Sequence, residues 1–93
     1  MATKQITLEF SSASGVRAWT ATINGVQISP LGNKVTFPVK TGIDYKLDMT
    51  FTGIPGGTVD VALTHAGGTI EERKPEIIPK GSTMTFDEFE FTL

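Results

Sequence analysis

Val39-Lys40-Thr41-Gly42-Ile43-Asp44-Tyr45 runs directly into Lys46-Leu47-Asp48-Met49-Thr50-Phe51, and the reading of these thirteen residues decides the fold class. Val35, Phe37 and Val39 close one apolar alternation, and Gly42 supplies the conformational freedom that a chain reversal needs. Beyond the reversal, Tyr45, Leu47, Met49 and Phe51 recur at period two, the spacing of a strand with one buried face. The segment therefore reads as strand, reversal, strand, with a tyrosine as the first inward residue. Gly42 and Tyr45 are accordingly assigned structural roles.

The same period extends in both directions. Ile6, Leu8 and Phe10 alternate with Thr7 and Glu9, and Ser11-Ser12-Ala13-Ser14-Gly15 reads as a flexible loop. Val16 to Ile23 forms the second strand, with Trp19, Ala21 and Ile23 inward. Trp19 is expected to be the packing centre. Asn24-Gly25 predicts a tight primed turn into a short strand at Val26-Gln27-Ile28. Ser29-Pro30-Leu31-Gly32-Asn33 ends that strand, and Pro38 consigns the next one to an edge or a bulge. Gly53-Ile54-Pro55-Gly56-Gly57 and Ala66-Gly67-Gly68 read as hairpin turns around Val59, Val61 and Leu63. The charged run Glu71-Glu72-Arg73-Lys74, with Pro75 and Pro79, reads as an edge strand protected against pairing.

In the last strand, Met84 and Phe86 have one parity while Phe89, Phe91 and Leu93 have the other. A β-bulge at Asp87-Glu88 would return both sets to the core. Without one, a register slip exposes large apolar side chains at about 1.5–3 kcal/mol each. The alternative is that Phe89 and Phe91, with Glu88 and Glu90 beside them, form an outward interaction surface.

Ninety-three residues make one domain, 1–93, held by apolar packing and strand pairing, since the chain has no cysteine. Seven or eight short strands are most economically arranged as an all-β, two-layer antiparallel sandwich, because two apolar faces then cover each other. A small closed barrel is the alternative. The net charge of −2 argues against nucleic acid, which requires a basic face. The acids concentrate late: from Glu71 onward six acids and three bases give −3, against +1 for the first seventy residues. That third reads as solvated strand faces, or as a surface for a basic partner. No apolar run is long enough for a signal peptide or a membrane span, so no membrane partner is expected. As written, the chain reads as cytoplasmic; as an excised piece, its compartment is open.

The segment from Val39 to Tyr45 resembles the LxPGxxY signature of immunoglobulin-like and fibronectin-type domains, with Val39 and Thr41 replacing its leucine and proline and Gly42 and Tyr45 matching. In fibronectin-type domains one strand follows that motif, whereas here almost half the chain does. Pro79-Lys80-Gly81-Ser82-Thr83 through Phe91-Thr92-Leu93 is similar to the ending of prealbumin-like and carboxypeptidase-regulatory-like sandwiches. These resemblances imply an immunoglobulin-like sandwich acting as spacer, adhesion unit or binding accessory, without catalysis.

Candidate chemistry is sparse. His65 is the only histidine and lies beside a glycine turn, the setting of a surface imidazole rather than a triad base. One imidazole and no thiolate are too few for structural zinc. Asp44, Asp48 and Asp60 lack the close ligand spacing of a calcium loop. Asp87, Glu88 and Glu90 could supply paired carboxylates only if a cleft separated their pKa values. No cofactor is therefore expected. The leading reading is a non-enzymatic module working by self-association or by docking to a protein, with Thr85 to Leu93 adding to a sheet edge. The alternatives are a carbohydrate-binding accessory module using Trp19 or Tyr45, and a small hydrolase using His65 and the late carboxylates.

Overall fold

The computed structural model describes residues 2–28 and 32–93. The expected turn at Ser29, Pro30 and Leu31 lies outside the described residues. The fold is all-β and antiparallel: β1 (Thr3–Ile23), β2 (Val26–Ile28), β3 (Lys34–Lys40), β4 (Asp44–His65), β5 (Gly68–Ile77) and β6 (Met84–Thr92). The period-two pattern is realised in β1 and β4, whose inward members Ile6, Leu8, Phe10, Leu47, Met49, Phe51, Val59, Val61 and Leu63 are all buried in one core.

Among the described residues six strands form where seven or eight were expected, because two segments read as breaks are bends inside long strands. Fully extended, the 22 residues of β4 would reach about 70 Å, yet the longest dimension of the molecule is 45 Å. β4 and its partner β1 must therefore fold over. They do so where their register shifts, between Ser11 and Ala18 on β1 and between Gly53 and Thr58 on β4. Bulges of this kind bend a strand and raise its twist without ending it. The close crossing explains the glycines: a Cβ on Gly53 would lie 2.0 Å from the Gly15 carbonyl oxygen. The residues displaced from the β4 ladder are not idle. Gly56 N–H donates to the Ile78 carbonyl and Ile78 N–H to the Gly57 carbonyl, both at 2.8 Å, which seats Ile78 fully in the core.

The bends divide the pairing into two halves. In one, β3 pairs the first part of β1, which pairs the second part of β4, which pairs β5. In the other, β2 pairs the second part of β1, which pairs the first part of β4, which pairs β6. Their inward rows meet at Phe10, whose ring lies 5.5 Å from Phe51 in an edge-on arrangement and 4.9 Å from Trp19. Phe10 and Phe51 are thus the packing centre in place of Trp19. Trp19 flanks them, half-buried, and its indole N–H donates to the Gly32 carbonyl at 3.2 Å.

Several local expectations hold. Asn24 and Gly25 both take positive φ, 47° and 81°, as a primed turn requires. β3, with Pro38, and β5, with its charged run, are edge strands.

Candidate functional site

β6 runs beside β4 in unbroken register from Thr52↔Met84 to Asp44↔Thr92. The bulge expected at Asp87-Glu88 is therefore absent. Phe89 and Phe91 share the inward face with Thr85 and Asp87, opposite buried Leu47, Phe51 and Met49, while Met84, Phe86, Glu88 and Glu90 point outward. The parity break is resolved by placing a carboxylate, not a bulge, at the inward position between Thr85 and Phe89. Asp87 is tolerable there because Arg73 Nε lies 3.1 Å from its Oδ2, and the same guanidinium sits 5.4 Å above the Phe89 ring. The displaced residue is on β5 instead: Lys74 and Pro75 together oppose Asp60, between Arg73↔Val61 and Glu76↔Val59.

This arrangement places the named residues differently from the reading of Phe89 and Phe91 as a surface. Both belong to the core, at 1% and 9% exposure, and Phe91 stacks on Tyr45 with ring centroids 5.6 Å apart. Glu88 and Glu90 do face solvent. Glu88 pairs with Lys46 across the strands at 3.4 Å, and this hydrogen bond, followed by the charges of Glu88 and Asp48, raises the Lys46 pKa. The exposed apolar residues of β6 are instead Phe86, at 68%, and Met84, at 41%.

The free edge of β6 follows from the turns at its ends. Gly53 N–H donates to the Thr83 carbonyl at 2.9 Å and Gly42 N–H to the Leu93 carbonyl at 2.6 Å, so the odd-numbered residues direct their backbone groups at β4. The even-numbered residues direct theirs away from it. Two of these are occupied locally. Ser82 Oγ takes the Met84 N–H at 3.3 Å and donates to its carbonyl at 2.9 Å, and Asp87 Oδ1 takes the Glu88 N–H at 2.7 Å. Between them, no partner among the described residues faces the Phe86 N–H and C=O. Among the four edge strands, β3 carries Pro38, β5 carries Pro75 and β2 is three residues long. β6 has nine residues, no proline and no bulge, and is guarded only by its charges, Asp87 inward and Glu88 and Glu90 outward.

Tyr45 accepts a hydrogen bond from the Lys40 N–H at 2.9 Å, and Gly42 takes φ 78° in the reversal between them. Asn24, Asp44, Lys46 and Glu90 surround an open hollow of about 560 Å³ beside this corner. Most of its polar groups bond to one another: Lys46 N–H donates to Asn24 Oδ1 at 2.8 Å, Asn24 Nδ2 to the Asp44 carbonyl at 3.3 Å, and the Thr92 hydroxyl to Asp44 Oδ1. His65 ends β4 beside the β4–β5 turn, with Nδ1 accepting the Gly67 N–H at 3.3 Å. The aspartates 44, 48 and 60 are dispersed along β4, opposite Thr92, Glu88 and Ser11. Of the late carboxylates, Asp87 points inward and Glu88 and Glu90 outward, so the three share no face.

Residues that the sequence reading left out are Phe86 as an exposed aromatic, and Arg73 and Glu76 as partners of Asp87. The signal for them was the parity break itself: an inward charge on a strand requires a partner on the neighbouring edge.

Comparison with protein-family models, with curated proteins and with solved structures finds no match. Among the described residues, no helix is long and apolar enough to cross a membrane.

Proposed function

We propose that the folded-over sheet is a two-layer β-sandwich with an immunoglobulin-like tyrosine corner at Tyr45, and that it is a non-enzymatic module that self-associates through β6. The shared core of the two halves supports the sandwich, and the Tyr45–Lys40 bond supports the corner. The observation that carries the function is the open edge at Phe86, where unoccupied backbone groups coincide with the most exposed large apolar side chain.

The sequence of β6 suits a second copy. In an antiparallel pair centred on Phe86, the even-numbered residues face one another across the edge, giving Phe86–Phe86, Met84–Glu88 and Ser82–Glu90, with Met84 and Glu88 exchanging their local partners Ser82 and Asp87 for the ladder. No carboxylate then opposes another, and the central pair joins two aromatics at the two-fold axis. Two four-segment layers would become one continuous layer across the dimer.

Sedimentation equilibrium on the intact chain checks this. A dimer is expected, and Phe86→Glu should convert it to a monomer with its melting temperature nearly unchanged, because the side chain lies outside the core. A parent monomeric at high protein concentration would sink the proposal. Carbohydrate binding is the second reading, favoured by Phe86 lying on the same outward face as Thr20, Thr50 and Thr52. Retention on a polysaccharide column by a monomeric parent, lost in Phe86→Ala, would select it.

A further inference from the structure

Arg73, Glu76 and Asp87 meet where β5, the edge of one half, faces β6, the edge of the other. The displaced pair Lys74-Pro75 on β5 puts Arg73 and Glu76 on the same side as their partners Val61 and Val59, which are buried in the core. Unbroken pairing puts Asp87 on the side of Met49, which is equally buried. β4 thus presents only Val59, Val61 and Met49 to the cluster, none of them charged. On β5, Arg73 also reaches Glu71 Oε1 at 3.4 Å, but it is Arg73 Nε that closes on Asp87, whose side chain is only 17% exposed. Glu76 faces the same seam, within reach of both Asp87 and Arg73. One guanidinium against two ionised carboxylates leaves an excess negative charge at the margin of an apolar core, and a single shared proton removes it.

We infer that Arg73, Glu76 and Asp87 form a proton-operated clasp across the β5–β6 seam, closed while the two carboxyls share a proton and loosened when both are ionised. Its operation does not depend on whether β6 pairs with a second copy. Burial above all, then the hydrogen bond and negative charge of Asp87, push the Glu76 carboxyl up to about 7 from its ordinary 4.5, while Arg73 pulls it down. The folded chain therefore holds this proton more tightly than the unfolded chain. The clasp's contribution is fully present below about 4.5 and is lost as pH rises through about 7.

The test compares the intact chain with Glu76→Gln, in which the amide is a permanently neutral stand-in for the protonated acid. Urea unfolding between pH 5 and 8 should show the parent's folding equilibrium constant falling by about tenfold or more, the linkage of one pKa unit. The Gln variant should stay flat over the same range. Amide exchange at Thr85, Asp87 and Phe89, which bond to β4, should be faster in the parent than in the variant at pH 8 and equal at pH 5. Comparing the two at each pH cancels base-catalysed exchange and every other titrating group. If Gln disturbs folding, Asp87→Asn serves instead, and it too should flatten the profile. A variant that keeps the parent's pH dependence overturns the clasp, as does equal exchange at pH 8.

Discussion

The corner at Tyr45 and the seam at Asp87 both tie one half of the folded-over sheet to the other, and they do it with opposite chemistry. At the corner the backbone donors bond to neutral acceptors: Lys40 N–H to the Tyr45 hydroxyl, Gly42 N–H to the Leu93 carbonyl, and Thr41 N–H to the Ala2 carbonyl. At the seam the tie is a guanidinium, two carboxyls and an aromatic face. Neutral backbone bonds cost little to desolvate and do not respond to protons or salt. Charges at the edge of a core respond to both. The difference teaches that one side of this molecule is built to be constant and the other to be conditional.

The largest effect should come from the core beneath both regions. Phe51 is fully buried and its ring meets Phe10 across the halves. Phe51→Ala should cost about 3–5 kcal/mol, the range for a buried aromatic truncated to alanine. Urea unfolding followed by both tryptophan fluorescence and circular dichroism should give a single transition, in parent and variant alike. Two separated transitions would break the comparison, because corner and seam would then belong to independently folding halves.

Next in size is the seam. Asp87→Ala leaves Arg73 Nε and the Glu88 N–H without their shared acceptor, at about 1–3 kcal/mol for donors left at the rim of the core. The loss should shrink in 1 M salt, where the Debye length is about 3 Å and the parent's own ion pair is weakened. A variant as stable as the parent at low salt would show that the carboxylate is merely tolerated.

Much of this molecule was legible before its coordinates. Alternation at Ile6 to Phe10, Tyr45 to Phe51 and Val59 to Leu63 identified the buried rows, since a side chain's face in a strand is fixed by its parity. Asn24-Gly25 announced its turn for a local reason, two residues that tolerate positive φ. Local pattern failed where tertiary contact decides. Ser11 to Gly15 and Gly53 to Gly57 have turn composition, yet they are bends, because each lies against the other and keeps its strand paired through the crossing. The same limit applies at β6. A bulge and an inward carboxylate both answer a parity break. Only the position of Arg73, brought from β5 by long-range pairing, chooses between them.

The smallest effect expected is the one that isolates the corner. Tyr45→Phe removes the acceptor for the Lys40 N–H while keeping the ring stacked on Phe91, so packing is unchanged and one hydrogen bond is lost, at about 1 kcal/mol. Because neither partner is charged, that loss should be the same at pH 5 and pH 8 and at low and high salt. Chemical denaturation at those four conditions measures it. The seam variants move under the same changes, so a constant decrement for Tyr45→Phe is the control that makes their movement meaningful. A decrement that varied with pH would mean that the corner and the seam are coupled through β6, which both hold: Phe91 lies at the corner and Asp87 at the seam, four residues apart on one strand.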